Sequence, residues 1–265
     1  MQTTNVLVAI KNIIEGQSIK HFTEGDQNPC DKVNNIGEHL EDFIFHAFCN
    51  SLEELESKKY DLYSKFFSWC SYSPFCPPSA ILKGSDVIDV KKVELGSTSI
   101  KFNGAYPRSK FYKDDTDITS DCRDCEIWDK KDLLYAICTT QGNNLKRLWF
   151  VYGDCYFASK EFYQKALKIT DPLNVAEFNF LDNRGLYGNR ASVLLPSSLI
   201  DKTHYNTTDN IINALMLKRK YESFPLSARL ALENLVGDRL SIVDCEIQSP
   251  NYASLKLQAK LIQYH

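Results

Sequence analysis

Residues 77–94, Pro-Pro-Ser-Ala-Ile-Leu-Lys-Gly-Ser-Asp-Val-Ile-Asp-Val-Lys-Lys-Val-Glu, decide the fold that this sequence predicts. A short apolar run at residues 80–82 leads to a Gly84-Ser85 turn signal, and a β-branched run follows at residues 87–93. Two strand-forming runs joined by turn-forming residues are typical of a β-hairpin. We therefore expect this hairpin to form part of a central sheet.

Two charged side chains interrupt the second strand of this hairpin. Side chains alternate between the faces of a strand, so Asp89 and Lys91 point to the same side. Placing charges in an apolar strand is costly unless they are paired or used. A carboxylate that can bind a divalent metal, next to an ammonium that can stabilise developing negative charge, suits phosphodiester hydrolysis. The alternative interpretation is the solvated edge of a half-exposed strand.

Length and composition are those of a globular protein. The chain has 265 residues, of which 43% are hydrophobic and 25% charged, so it can bury a sizeable core. The net charge of −3 argues against a general polyanion binder but is compatible with a nuclease, because metal-binding acids offset basic patches. The apolar run at residues 6–10 is too short for a signal peptide or a membrane span, so we expect a cytoplasmic protein without membrane association. Nine cysteines, an odd number in a chain of this length, indicate mostly reduced thiols.

Hydrophobic periodicity predicts the other elements of the fold. We predict helices over residues 5–15, 36–48, 158–168 and, with a break at Pro225, 209–235. We predict strands over residues 148–152, 240–247 and 254–263. Residues 131–139 fit a strand or a helix, residues 51–68 a helix or an extended arm, and residues 96–121 mostly loop. Because no linker or repeat interrupts the pattern, we predict one domain spanning residues 1–265.

Several segments, taken together and in order, carry a family resemblance. They are residues 35–41 (Asn-Ile-Gly-Glu-His-Leu-Glu), 86–94, 114–116, 122–125, 128–133 and 148–156. From about residue 5 to 165 the chain resembles the NgoPII-type type II restriction endonucleases of the PD-(D/E)xK nuclease superfamily. The resemblance implies a restriction-endonuclease-like α/β fold with a mixed central β-sheet flanked by α-helices. It also implies Mg²⁺-dependent cleavage of double-stranded DNA by a homodimer, at a short and GC-rich palindrome such as GGCC.

One position departs from the family pattern. The first hairpin strand of the family opens with Pro-Asp, and Ser79 stands at the matching position. If the turn consists of residues 83–85, Ser79 lies opposite Asp89 on the same face, where the first metal-binding carboxylate belongs. A hydroxyl is a poorer Mg²⁺ ligand than a carboxylate. The chain is then either an inactivated variant or a nuclease that takes its second carboxylate from elsewhere.

Three acids are candidates for that second carboxylate. Asp86 supplies it only through an irregular hairpin, because strict alternation turns its side chain to the face opposite Asp89. Glu38 and Glu41 supply it from the predicted helix, although both also suit the helix dipole as ordinary first-turn acids. Glu41 is the better candidate, because it borders the apolar stripe of the helix.

The resemblance, together with residue type, assigns roles to a larger set of residues. Asp89 is the expected metal ligand and Lys91 the group that activates water and stabilises charge, with Ser79 and Glu41 completing the catalytic set. The candidate Mg²⁺ ligands are Asp89, Glu41, Glu38 and Asp86. The candidate DNA contacts are Lys92, Lys101, Arg108, Lys110, Lys113, Arg184 and Arg190. Basic residues interleaved with aromatics suit phosphate contacts, and arginines suit guanine recognition, although a charged surface loop is the commoner role for such residues.

A Cys-x-x-Cys pair raises the question of zinc. A structural zinc site needs four ligands, and Cys138 and Cys155 complete one with Cys122 and Cys125 only if the fold brings all four together. We favour plain thiols.

The predicted function is that of a type II restriction endonuclease. The alternatives are a DNA-binding protein that has lost its chemistry through Ser79, and a structure-specific repair nuclease that cuts junctions or ends. A Mg²⁺-dependent cleavage assay separates the first alternative, and mapping of the cut sites separates the second.

Overall fold

The computed structural model describes residues 4–16, 32–50, 59–71, 77–95, 99–101, 108–116, 118–142, 144–161, 177–179, 211–235, 237–248 and 255–264. The helices are α1 (Val6–Glu15), α2 (Lys32–Cys49), α3 (Lys59–Phe66), α4 (Ser120–Asp124), α5 (Gly153–Tyr156), α6 (Lys218–Ser223) and α7 (Leu226–Glu233). The strands are β1 (Phe67–Cys70), β2 (Ala80–Leu82), β3 (Val87–Glu94), β4 (Ser99–Lys101), β5 (Lys110–Tyr112), β6 (Lys130–Gln141), β7 (Asn144–Tyr152), β8 (Glu177–Asn179), β9 (Ile211–Leu217), β10 (Leu240–Gln248) and β11 (Lys256–Tyr264).

A nine-stranded mixed sheet forms the centre of the molecule. Its strand order is β1-β2-β3-β6-β7-β9-β11-β10, and β5 pairs with β6 beside this path. The β3–β6 and β7–β9 pairs are parallel, and the other neighbouring pairs are antiparallel. A separate two-stranded sheet joins β4 to β8. The predicted α/β fold, a mixed central sheet flanked by helices, is confirmed.

The first two helices bring the α2 side chains to the sheet. Asn5 caps α1, because its side-chain oxygen accepts hydrogen bonds from the backbone N–H groups of Leu7 and Val8. The side chain of Asn12 donates to the carbonyl of Ala47 over 2.7 Å and ties α1 to α2. Phe48 of α2 then meets the Phe150 ring of β7 edge-on, with centroids 6.3 Å apart. These contacts hold α2 against α1 and against the central sheet.

The predicted hairpin has the predicted turn. Ala80 pairs with Ile88, and the backbone N–H of Leu82 donates to the carbonyl of Asp86 over 2.9 Å. The connecting residues 83–85 include Gly84 at φ +63°, a left-handed conformation that favours glycine. In this register, position 79 faces position 89 across the two strands.

Other element predictions agree with the structure in part. Residues 148–152 and both terminal strands are confirmed, and residues 131–139 form a strand. The loop predicted for residues 96–121 contains β4, β5 and the start of α4, so that prediction was wrong there. Most of the helix predicted over 158–168 lies outside the described residues.

The helix predicted over 209–235 was wrong at its beginning. Ile211–Leu217 form β9, between β7 and β11 in the interior of the sheet, and helices begin only at Lys218. Ile212 and residues 214–217 are all buried, so the run has no polar alternation to mark it as a strand. The break at Pro225 is confirmed, since α6 ends before it and α7 begins after it.

In the described part of the chain, no helix has the length and apolar character needed to cross a membrane. The prediction of a single domain over residues 1–265 stays a prediction.

Candidate active site

The second hairpin strand carries an ion pair at its buried end. Asp89 is 8% exposed, and Lys91 Nζ lies 2.9 Å from its Oδ1 atom. Both side chains point the same way, as alternation along β3 requires. The carboxylate is therefore held close to an ammonium inside the protein rather than at a solvated edge.

Ser79 lies beside this pair and makes two hydrogen bonds. Its side chain is buried, with 6% of the residue exposed. The Oγ atom accepts a hydrogen bond from the backbone N–H of Val90 over 3.1 Å and donates one to Glu41 Oε1 over 2.7 Å. The hydroxyl thus connects β3 to α2 at the open end of the hairpin.

Glu41 reaches this end of the hairpin from α2. Burial raises the pKa of its carboxyl group to about 7; the Ser79 hydrogen bond opposes this rise, and the charge of Asp89 adds to it. Lys91 also acts on the Glu41 pKa and lowers it. The electrostatic influence of both hairpin charges places Glu41, Ser79, Asp89 and Lys91 in one group, which we call the hairpin site.

The donor atoms of the hairpin site fit a magnesium ion. Two carboxylates are the usual protein contribution to a Mg²⁺ site, because this ion keeps several water molecules and binds substrate phosphate oxygens. A nearby Asp89 charge raises the pKa of Glu41, and a bound cation would remove that repulsion. Over the described residues, no group of three or more His, Cys, Asp or Glu side chains is arranged to hold a metal. Asp89 and Glu41, with Ser79 between them, stay the candidate metal ligands of the sequence prediction.

Asp86 lies apart from the hairpin site. Its carboxylate accepts hydrogen bonds from Tyr152 Oη over 2.5 Å and from Lys220 Nζ over 2.6 Å, and it is almost fully buried. Because these partners hold it, the suggestion that Asp86 replaces a missing acid beside Asp89 has no support in the geometry. Glu38 belongs to α2, and its side chain lies outside the described residues.

The partners of Asp86 belong to a larger, partly buried network that the sequence did not reveal. Lys220 Nζ also donates to Asp132 over 2.7 Å, and Lys110 Nζ joins Asp132 to Asp154. We call Asp86, Lys220, Asp132, Lys110 and Asp154 the lysine network. Although burial acts in the opposite direction, hydrogen bonds from the two lysines lower the pKa of Asp132 to about 2. The available sequence signal was weak: Lys220 follows a buried strand, but its acceptors are far away in the chain.

Two of the candidate DNA contacts make ion pairs within the protein. Arg108 is 5% exposed, and its Nε atom donates to Asp115 over 3.0 Å. Lys110 is held in the lysine network between two aspartates. The loop predicted for this segment was wrong, because β5 pairs with β6. Contact of Arg108 and Lys110 with DNA stays a prediction.

The remaining DNA-binding candidates are more accessible or are not described. Lys113 is partly exposed, with its Nζ atom 3.7 Å from Asp124, and Lys92 pairs with Glu94 over 3.0 Å. The side chain of Lys101 and both Arg184 and Arg190 lie outside the described residues.

The cysteines do not form a zinc site among the described residues. Cys122 is buried on α4, and burial raises the pKa of its thiol to about 12. Cys125 donates to Ser68 Oγ over 3.7 Å, whereas Cys138 donates weakly to the carbonyl of Ala136 in β6. The seven cysteines in the described part of the chain are free thiols, as the sequence indicated.

Comparison with known proteins places the chain in a family. Residues 4–186 match the sequence profile of the NgoPII restriction endonuclease family. The type II restriction enzyme NgoPII of Neisseria gonorrhoeae is 27% identical to this chain over 288 aligned residues, which cover 98% of the chain and 99% of that enzyme. No solved structure shows significant similarity to the chain. The chain therefore belongs to the NgoPII restriction endonuclease family, a family of type II site-specific deoxyribonucleases.

Proposed function

We propose that this chain hydrolyses phosphodiester bonds of double-stranded DNA at a short, GC-rich palindrome such as GGCC, using Mg²⁺ bound by Asp89 and Glu41. The observation that carries the proposal is the hairpin site itself. The Asp89 carboxylate of β3 contacts the Lys91 ammonium, and the Glu41 carboxylate of α2 interacts electrostatically with both, in a largely buried position. Burial of a charged group is costly unless the group is paired or used. Three charged side chains gathered in one largely buried position are therefore better explained by a function than by chance.

Each residue of the hairpin site has a distinct part in the proposal. A bound Mg²⁺ would polarise the scissile phosphate and make a metal-bound water more acidic. Asp89 and Glu41 supply its oxygen ligands. Lys91 lies within ion-pair distance of Asp89, so its ammonium can orient the attacking water and stabilise the charge that develops on the phosphate. The Asp89 carboxylate keeps that ammonium in place before DNA binds.

A cleavage assay tests this proposal directly. Plasmid DNA incubated with the protein and Mg²⁺ should give discrete fragments, and Asp89→Ala should abolish cleavage while DNA binding in a gel-shift assay is retained. Asp238→Ala is the matched control, because this exposed aspartate lies in the turn before β10, outside the hairpin site. A wild-type protein that binds DNA and does not cut it would favour the DNA-binding alternative. Full activity of Asp89→Ala would exclude the assigned site.

The type of cut separates a restriction enzyme from a repair nuclease. A palindromic site read by a homodimer places two hairpin sites in symmetric positions, so the sequenced fragment ends should show one recurring sequence with a fixed stagger. We expect this enzyme to act as a homodimer in the cytoplasm. Cut sites that map to DNA junctions or DNA ends, without a common sequence, would instead identify a structure-specific nuclease.

A further inference from the structure

Ser79 lies at the opening of the hairpin, between Glu41 and the backbone of β3. The register of β2 and β3 sets it opposite Asp89, at the point where the two strands part. It is buried and lies between the β3 backbone and the α2 carboxylate. Among the described side chains, Ser79 is the hydrogen-bond partner of Glu41.

The two hydrogen bonds of Ser79 have a fixed direction. A hydroxyl has one proton, and a backbone N–H can only donate. The Val90 N–H therefore occupies an acceptor position of Oγ, and the single proton of Ser79 points to Glu41 Oε1. An oxygen polarised in this way donates more strongly to a carboxylate, because successive hydrogen bonds in a chain reinforce one another.

The backbone of Val90 lies between the two charged residues of β3. A bond from Val90 through Ser79 to Glu41 consequently ties the position of the helix carboxylate to the strand segment that carries Asp89 and Lys91. A shift of α2 relative to the hairpin would break this connection. The Ser79 hydroxyl thus adds a direct link between the Glu41 carboxylate and β3 to the packing contacts that hold α2 against the sheet.

We propose that Ser79 is a positioning residue, whose hydroxyl holds the Glu41 carboxylate next to Asp89, so that Ser79 and Glu41 together replace one strand carboxylate at position 79. This inference rests on the proposed metal ligands. It explains how the metal site can persist with a serine at the hairpin opening. The carboxylate ligand comes from Glu41 of α2, and Ser79 of the hairpin only orients it. Residues that orient metal ligands through hydrogen bonds change metal affinity by about 10–100-fold when they are removed.

Binding of Mn²⁺ to the protein without DNA gives a readout that does not depend on cleavage. The free Mn²⁺ signal in electron paramagnetic resonance yields a dissociation constant for each variant, and a melting curve reports the fold. We expect Ser79→Ala to weaken Mn²⁺ binding by about 10-fold or more, while the melting temperature stays near that of the control. Ser68→Ala is the matched control, because it removes a hydroxyl on neighbouring β1 that donates to the Ile81 carbonyl and contacts neither carboxylate of the hairpin site.

A carboxylate exchange provides the second, stricter test. Glu41→Gln should lose Mn²⁺ affinity, and adding Ser79→Asp to it should restore binding to within about 10-fold of wild type, because the acid returns to the strand.

Three results would overturn the inference. They are wild-type Mn²⁺ affinity in Ser79→Ala, failure of Ser79→Asp to restore the Glu41→Gln variant when both are folded, and absence of Mn²⁺ binding by the wild-type protein. Failure of the nuclease proposal has a different outcome: the protein would not cut DNA, yet Ser79→Ala and the exchange would still change Mn²⁺ affinity as expected.

Discussion

Replacing Lys220 by methionine should destabilise the protein strongly, because it leaves Asp86 charged and buried. Lys220 Nζ lies 2.6 Å from Asp86 and 2.7 Å from Asp132. Asp132 keeps a second ammonium, that of Lys110, whereas the described partners of Asp86 would be reduced to the Tyr152 hydroxyl. Removing one member of a buried ion pair costs about 3–5 kcal/mol, a large part of a typical stability of about 5–15 kcal/mol.

Urea unfolding at pH 7.5 measures this cost against a matched control. Lys218→Met removes an ammonium from the first position of the same helix, where Lys218 makes an exposed ion pair with Asp244 over 3.4 Å. Such a surface pair contributes about 0–1 kcal/mol. Asp86→Asn alone should lower the free energy of unfolding by about 1–2 kcal/mol, because a neutral amide accepts weaker hydrogen bonds than a carboxylate. The cost stays moderate because Lys220 is still paired with Asp132.

The double variant decides whether the buried charge is the cause. In Asp86→Asn with Lys220→Met no unpaired charge remains at position 86, so the combined cost should fall short of the sum of the single costs by about 2 kcal/mol or more. The penalty of Lys220→Met should also shrink as the pH is lowered, since burial raises the pKa of Asp86 and protonation removes its charge. Additive single costs, or a Lys220→Met cost equal to that of Lys218→Met, would refute this reasoning.

Three further predictions concern backbone packing and pH. Gly153→Ala should lower stability by about 1–3 kcal/mol in the same unfolding assay, because a Cβ atom there would meet the backbone carbonyls of Arg108 and Ser109, the latter at 2.9 Å. Asp132, whose pKa is lowered to about 2, should contribute about 1–2 kcal/mol at neutral pH after allowance for its partial exposure. That contribution is lost as pH falls through the range from about 4 to 2, so Asp132→Asn should flatten the acid limb of a stability–pH curve. Glu41, whose folded pKa is raised to about 7, makes the metal-free protein lose up to about 3 kcal/mol as pH rises from 4.5 to 7, and Glu41→Gln should remove this slope in calorimetry.

The sequence predicted those parts of the fold that are encoded by local pattern. The hairpin at residues 77–94 is an example, because the register follows from the turn residues, and the register brings Ser79 opposite Asp89. Apolar spacing likewise predicted α1 and α2, each of which buries one face. In such elements the physical cause of the structure lies within about ten residues of sequence.

Features that depend on distant contacts could not be predicted in this way. Residues 211–217 read as helix because a strand buried on both faces shows a continuous apolar run, which a buried helix also shows. The segment that contains Arg108 and Lys110 was predicted as a loop, since the pairing of β5 with β6 has no local signature. The sequence could only rank Glu41 first among three candidate acids. The hydrogen bond between Glu41 and Ser79 could not be predicted, because it depends on how α2 packs against the hairpin.

The ion pair between Lys220 and Asp86 also has a consequence for synthesis of the enzyme. Its partners are separated by 134 residues, and strand β9, which precedes Lys220, lies inside the sheet. At translation rates of about 5–20 residues per second, this interval takes about 7–27 s. During that time the nascent chain already contains all four residues of the hairpin site. It still lacks β9, an interior strand of the sheet, and Lys220, whose ammonium pairs with the buried Asp86 carboxylate. The order of synthesis therefore delays the finished nuclease fold until the C-terminal part of the chain has emerged from the ribosome.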